Sequence, residues 1–407
     1  MPLLLLCAAQ FVVVLDVTIV AVALPAIRDA LGFSTAGLQW VVTAYTLTFG
    51  GLLVAAGRLG DLAGRRRVFR AGLVLFGAAS LACALAPSGA ALIAARAVQG
   101  VGAALQAPAA LSLVTATYED RRGAVAWWTA AAAAGGASGW VLGGVLVEAF
   151  GWPSVFAVNV PLCAAAAALV PRVLAESRGT ARSLDVLGTV AVTAGLSLLV
   201  LGLTQLPLAL PLAAAVLAAF VAVERRAADP ILPASALRRP GFARANAVAL
   251  TLTATTTSAM FLAILFQQEE LGRSPLEAGL WSAPLNLAVI AGARVRAPMA
   301  AGLAAIAAGA LALEVELLLP AFVLMGLGLG SASVAATASG TAALSGGEQG
   351  IASGVLNAAA QIGSALGLAI VVPLGYTAGW AAVALLAGAA ATGSLRTSRR
   401  RPTTRRR

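Results

Sequence analysis

The chain is 407 residues long, 60% hydrophobic and only 11% charged, with a net charge of +11 and no histidine. Soluble domains carry about 25% charged residues, so charge here is too sparse to cover a water-facing surface. All 27 basic residues are arginine; without lysine there is no Walker A loop, and without histidine a metal would need a cluster of cysteines or carboxylates.

Apolar runs of about 20 residues recur along the whole length, the signature of an all-α polytopic membrane protein. A transmembrane β-barrel is excluded because its strands alternate apolar and polar residues over about ten positions. In chain order the runs fall at 2–24, 38–56, 69–87, 90–115, 124–148, 152–171, 186–204, 207–223, 244–266, 277–293, 297–313, 316–339, 350–373 and 375–395. That predicts about fourteen spans. The first run ends in AVA, as a cleaved leader does. No basic residue precedes it, Asp16 interrupts it and further runs follow, so it reads as a span. Punctuation is weakest between 290 and 320, and the boundaries there are the least defined.

The arginines fix an orientation. With a cytoplasmic N-terminus, the even-numbered turns face the cytoplasm. Those turns and the tail hold Arg58, Arg65 to Arg67, Arg70, Arg121, Arg122, Arg172, Arg178, Arg182, Arg225, Arg226, Arg238, Arg239, Arg244, Arg294, Arg296 and the seven arginines after 395. Only Arg28, Arg96 and Arg273 lie elsewhere, so the positive-inside rule predicts two cytoplasmic termini in a multi-pass plasma-membrane protein. The positive charge is then topological and implies no nucleic acid. The tail RRRPTTRRR fixes topology, with anionic lipid headgroups as its expected neighbour. Cys7, Cys83 and Cys163 sit singly in three runs and read as small packed hydrophobes.

Polar residues inside the runs carry the functional signal. Asp16 is the only acid well inside a span, and Arg96 the only base. Such a charge costs about 2.5–3.5 kcal/mol at mid-membrane, so it faces the bundle interior with a partner. The pair marks a pathway or merely fixes helix packing. On span 4, Arg96, Gln99 and Gln106 share one helical face, which is expected to line a cavity. On span 5, GGASGWVLGG (135–144) places Gly135, Gly139 and Gly143 every four residues, a smooth ridge for another helix; Trp140 and Gly144 lie within the same stretch. The hydroxyls of TLTATTTS (251–258), Thr255 among them, line a cavity or bond back to their own helix.

Several stretches resemble one family. GRLGDLAGRRRV (57–68) resembles the signature loop of the major facilitator superfamily, and RAVQGVGAAL (96–105) its span-4 arginine motif. LDVTIVAVALP (15–25), QWVVTAYTL (39–47), FAVNVP (156–161) and GIASGVLNAAAQIGSALG (350–367) are similar to its fourteen-span drug:proton antiporter branch. The sequence departs from that branch at Trp140, where a proline is usual, at Ala21 for asparagine, at Ala360 for arginine, and in AGARVRAP (291–298), which has no acid.

The resemblance implies two six-helix bundles, residues 1–171 and 244–395. It also implies two additional central spans with a linker (172–243) and a basic tail (396–407). It implies alternating access, and a cytoplasmic latch made by Gly57, Gly60, Asp61, Gly64, Arg65 and Arg66. Asp16 is expected to be the proton site, tuned by Arg96. Burial favours a neutral carboxyl and a neighbouring arginine favours the charged one. Asn159, Thr255, Trp281, Asn286, Asn357 and Gln361 are expected to line a substrate cavity. The expected protein is a monomeric, proton-driven exporter of drugs, antibiotics or other amphiphilic and cationic molecules, neither an enzyme nor cofactor-dependent. A nutrient importer and a non-transporting sensor or inactive relative are the alternatives on the same fold.

Overall fold

The computed structural model describes residues 1–177, 186–226, 239–343 and 349–399, and every regular element among them is helical. In chain order they are α1 (Pro2–Leu31), α2 (Thr35–Leu38), α3 (Trp40–Ala63), α4 (Arg65–Ala84), α5 (Gly89–Thr117), α6 (Arg121–Phe150), α7 (Ser154–Ala157) and α8 (Asn159–Val173). Then come α9 (Val186–Thr204), α10 (Ala209–Glu224), α11 (Pro240–Glu269), α12 (Pro275–Ala293), α13 (Met299–Glu314), α14 (Leu318–Ala342), α15 (Gln349–Val371) and α16 (Tyr376–Arg399). A 3-10 turn, Val372–Leu374, joins the last two. Arg178, Arg182, Arg238 and the arginines from 400 onward lie outside the described residues.

Local chemistry sets the ends. Proline opens α1 and α12, where its missing N–H is no loss. Gly32 ends α1 in the left-handed conformation (φ 69°), its N–H closing on the Arg28 carbonyl. At α12, Ser274 and Glu277 form a reciprocal capping box.

Twelve described stretches are long and apolar enough to cross a bilayer, against the fourteen expected. The two that fall short are α10 and α13, of 16 residues each. At 1.5 Å per residue they are about 24 Å long, below the roughly 30 Å of a hydrocarbon core. Pro298 caps α13 and Glu314 ends it, while α10 begins only after the turn that follows Pro207. The runs of both helices in the sequence, 207–223 and 297–313, already fall short of roughly 20 residues.

Packing repeats along the chain. In the first half α1 lies on α6, and α3 and α4 both lie on α5; in the second half α11 lies on α15, and α12 and α13 both lie on α14. The same pairing twice makes two bundles of equivalent connectivity, as in parallel-repeat transporters. They meet along α6–α12 and α3–α15, with α1 touching α11. Between them in sequence, α9 and α10 form an antiparallel hairpin, with Gly195 against Leu217 and Gly202 against Leu210. This hairpin rests on α3 and α15 through α9.

The span-5 glycines are explained by the neighbours of α6. A Cβ at Gly135 would stand 2.4 Å from the Phe11 carbonyl oxygen, and one at Gly143 3.0 Å from that of Ile19. Gly139 lies over Leu15 and Thr18, so the ridge follows α1 in constant parallel register. Gly144 and the Trp140 carbonyl turn the other way, onto Leu276 and Gly279 of α12. Gly135→Ala is therefore expected to cost about 1–3 kcal/mol through overpacking against backbone. Gly136→Ala, whose Cβ would meet the Val14 methyl at 3.4 Å and Asn286 Oδ1 at 3.5 Å, both ordinary contacts, is expected to stay within about 0.5 kcal/mol. Melting temperatures of the two variants in detergent check the contrast.

Candidate functional site

Asp16 sits midway along α1, in a run from Pro2 to Ile27 that carries no other charge, and the fold buries it completely. The 3.6-residue repeat of α5 puts Arg96 and Gln99 on the face turned to α1. Arg96 Nη1 donates to Asp16 Oδ2 at 2.6 Å and to Gln99 Oε1 at 2.5 Å, and its Nε donates to the Val41 carbonyl at 2.8 Å. Gln99 Nε2 donates to Asp16 Oδ1 at 2.8 Å and to Ser80 Oγ at 2.9 Å. Asn159 Nδ2 supplies a second donor to Oδ1 at 2.8 Å. The guanidinium lies over the Tyr45 ring at 4.4 Å and near the Phe156 ring at 5.7 Å, two favourable cation–π contacts.

Every group in this centre comes from the first bundle: α1, α3, α4, α5, α7 and α8. Arg96 is 1% exposed and Asp16 0%, so neither water nor a substrate reaches the carboxylate in this conformation. An ion pair this deep is tolerable only because both partners carry further hydrogen bonds. Both Asp16 oxygens and the Arg96 guanidinium are hydrogen-bonded, whereas Asn159 Oδ1 and the Tyr45 hydroxyl beside them have no partner among the described residues.

The bundles are tied by four polar contacts between described residues. Gln268 Nε2 donates to the Val22 carbonyl at 3.0 Å, and Arg28 pairs with Glu269. The Leu276 N–H donates to Glu148 at 3.2 Å, and Asn286 Nδ2 to the Gly136 carbonyl at 2.8 Å. All four lie at mid-depth or beyond it, away from the arginine-rich face.

A family model described as Major Facilitator Superfamily matches residues 6–300. The chain belongs to this superfamily. Similar relatives include a cephamycin export protein of Amycolatopsis lactamdurans, 41% identical over 90% of this chain and 83% of its own. A lincomycin resistance protein of Streptomyces lincolnensis is 37% identical over 92% and 84%. Among solved structures, the POT family transporter PepTSo superposes with a TM-score of 0.76 at 12% identity, covering 98% of this chain and 97% of its own. That likeness shows the fold.

The loop at 57–68, which resembles the superfamily's signature, lies on the arginine-rich face. Asp61 accepts from Arg65 at 2.8 and 3.0 Å, a pair within the loop itself. Gly60 is buried and Gly57 half-buried, facing Pro108. The residue that organises the loop is Glu176, which sequence reasoning missed. It accepts the Arg66 N–H at 2.9 Å at the start of α4 and stands 3.7 Å from the guanidinium groups of both Arg66 and Arg67. A carboxylate there also complements the positive end of the helix dipole. Its lone negative charge among Arg172, Arg178 and Arg182 was the available signal. Gly64 makes room: its φ is 108°, and a Cβ would fall 2.8 Å from the Glu176 carboxyl carbon. Gly64→Ala is expected to cost about 1–3 kcal/mol through backbone strain. Glu176→Gln, which keeps the shape, should cost less; the two melting temperatures decide.

The other sequence-predicted residues scatter. Asn159 joins the Asp16 centre, and Thr255 is buried with its hydroxyl on the carbonyls of Thr251 and Leu252. Trp281 is exposed under Arg273, which lies 4.3 Å above its ring. Asn286 bridges the bundles, Asn357 is exposed on α15, and Gln361 packs on Gly50. Gln106, two turns beyond Gln99, is buried with neither side-chain group bonded. Trp140 is buried in the core that joins the bundles.

Proposed function

We propose that the protein exports antibiotic-like amphiphilic or cationic molecules across the plasma membrane in exchange for protons. The single observation that carries this reading is the Asp16–Arg96 centre, a buried intramembrane ion pair of the kind that marks transport pathways. The printed functions of the relatives, cephamycin export and lincomycin resistance, support the substrate class.

In this reading the arginine-rich face is cytoplasmic and both termini lie on that side. The short helices α10 and α13 cross as well, giving fourteen spans. Two features support this: each runs beside a longer antiparallel partner, and only with both crossings do the arginines gather on one face. Tilt and local thinning accommodate the few missing ångströms. The bundles rock about the α6–α12 and α3–α15 seams, and the loop at 57–66 latches the cytoplasmic side when that side closes. Asp16 takes a proton when its bundle opens to the outside and loses it inside. Exchange of one proton for one monovalent cation moves no net charge, so each pH unit supplies about 1.4 kcal/mol.

The complete bonding of Asp16 favours one second reading, a purely structural ion pair. Efflux of ethidium from proteoliposomes under an imposed pH gradient tests the function. Movement only with the gradient supports proton-coupled export; no movement under any gradient overturns it.

A further inference from the structure

Two of the three arginines that broke the positive-inside pattern, Arg28 and Arg273, meet on the outer side of the molecule. Arg28, at the end of α1, pairs with Asp29 at 3.0 Å and, across the bundle boundary, with Glu269 at the end of α11. Tyr376, at the start of α16, donates to the other Glu269 oxygen at 3.0 Å. Arg273 is held one turn further on by Gln267 at 2.9 Å. Beside the pair, Gln268 reaches the Val22 carbonyl. The result is a clasp in which the Arg28–Glu269 pair and the Gln268–Val22 hydrogen bond join α1 to the second bundle, with Tyr376 supporting Glu269.

Along the same boundary, α3 carries a polar stripe. Gln39, Thr43 and Thr46 lie on the helical face of Gly50, which packs on Gln361 and the Ala358 carbonyl. Carrying that antiparallel register outward sets Thr43 opposite Leu368 and Gln39 opposite Val372, both buried. The contact of α2 with the 3-10 turn at 372–374 agrees with this register. Gln39 and Thr43 are themselves 0% exposed. Among the described residues, both polar atoms of the Gln39 amide and the Thr43 hydroxyl lack a hydrogen-bond partner. Buried groups of this kind are normally bonded. They strain a closed seam and are relieved when it parts.

We propose that Gln39 and Thr43 line a second, outward-opening polar site, sealed here by the Arg28–Glu269 clasp, which takes the hydrogen-bonding groups of a substrate during its release. This rests on the export reading and deepens it. Three features carry it: two unpartnered polar side chains of span 2, an apolar face of span 13 opposite them, and a charged tie at the outer rim. The clasp favours closure and the two orphaned side chains favour opening, so substitutions at the two places act with opposite sign.

The experiment uses the full chain with Cys7, Cys83 and Cys163 replaced by alanine and Thr43→Cys added, in membranes labelled from outside with an impermeant maleimide. Labelling is expected to be slow in that parent. Glu269→Gln should accelerate it about three- to tenfold, the range for a partly exposed charged tie. The exchanged pair Arg28→Glu with Glu269→Arg should slow it again, which also shows that these variants fold. Gln39→Leu should slow it below the parent. Ethidium should protect the cysteine in the Glu269→Gln background. An unchanged rate with Glu269→Gln, acceleration by Gln39→Leu, or no protection by ethidium that the wild type does export would each overturn the proposal. Failure of the wild type to export ethidium at all would instead strike the export reading, because labelling rates do not depend on it.

Discussion

Arg96→Leu is expected to destabilise the folded protein by about 3–5 kcal/mol, the usual result of stripping one partner from a buried ion pair. The asymmetry of the centre explains why this side of the pair is the fragile one. Without Arg96, the Asp16 carboxylate keeps only two neutral amide donors, from Gln99 and Asn159, and stays out of reach of water. The Val41 carbonyl and the Tyr45 ring face lose their partner at the same time. Arg96→Lys is expected to recover only part of the loss. One ammonium cannot reproduce a fork that spans Val41, Asp16 and Gln99 while lying flat on an aromatic ring. The check is the melting temperature of purified protein in detergent, with yield from membranes beside it. Equal melting of Arg96→Leu and wild type would mean that the pair carries no structural weight.

The centre was more legible in the sequence than its surroundings. Asp16, Arg96 and Gln99 announce themselves because a charge or amide inside an apolar run has few physical excuses, and helical spacing places two of them together. Asn159 was visible as a polar residue, but nothing local says that α8 would deliver it to Asp16 when its neighbours in the reading were cavity residues. Ser80, Tyr45 and the Val41 carbonyl were invisible for a related reason. Serine and tyrosine are common in spans, and a backbone carbonyl has no sequence signature at all. Of the two roles open to Thr255, the structure shows the bond back to its own helix, a role that a hydroxyl in a span can fill whichever way it points.

The fold was legible through its apolar runs, and the limits of that signal are equally physical. Hydropathy marks a run without setting where its helix begins and ends, so the runs at 207–223 and 297–313 became helices of 16 residues at α10 and α13, whereas the run at 277–293 became one of 19 at α12. The repeat of the first bundle in the second could not be read from motifs, because AGARVRAP has lost the acid that would mark the matching loop. Packing preserves the repeat where the motif does not. Arg28 and Arg273 stood out only as violations of a topology rule, and Arg28 now has a partner that sequence separation hid: Glu269 lies 241 positions away.

Asp16→Asn is expected to lose coupling entirely and, because it keeps the shape of the side chain and one acceptor oxygen, to cost less stability than Arg96→Leu. Neutralising the carboxylate leaves Arg96 with the Val41 carbonyl, Gln99 Oε1 and two aromatic faces, so its charge remains solvated by the protein. A proton site must tolerate its own neutral form during every cycle, and this arrangement meets that condition from the arginine side. The amide cannot exchange a proton, so a pH gradient can no longer drive ethidium uphill. Exchange of ethidium between two equal pools needs no proton and should persist. The two assays together separate the possibilities. Loss of gradient-driven accumulation with exchange retained assigns Asp16 to coupling. Loss of both, with a wild-type melting temperature, makes the carboxylate part of the rocking motion or of substrate contact. Accumulation at the wild-type rate would make Asp16–Arg96 a structural knot, and the proton would then have to travel by another acid, with Glu269 on the outer rim the first to examine.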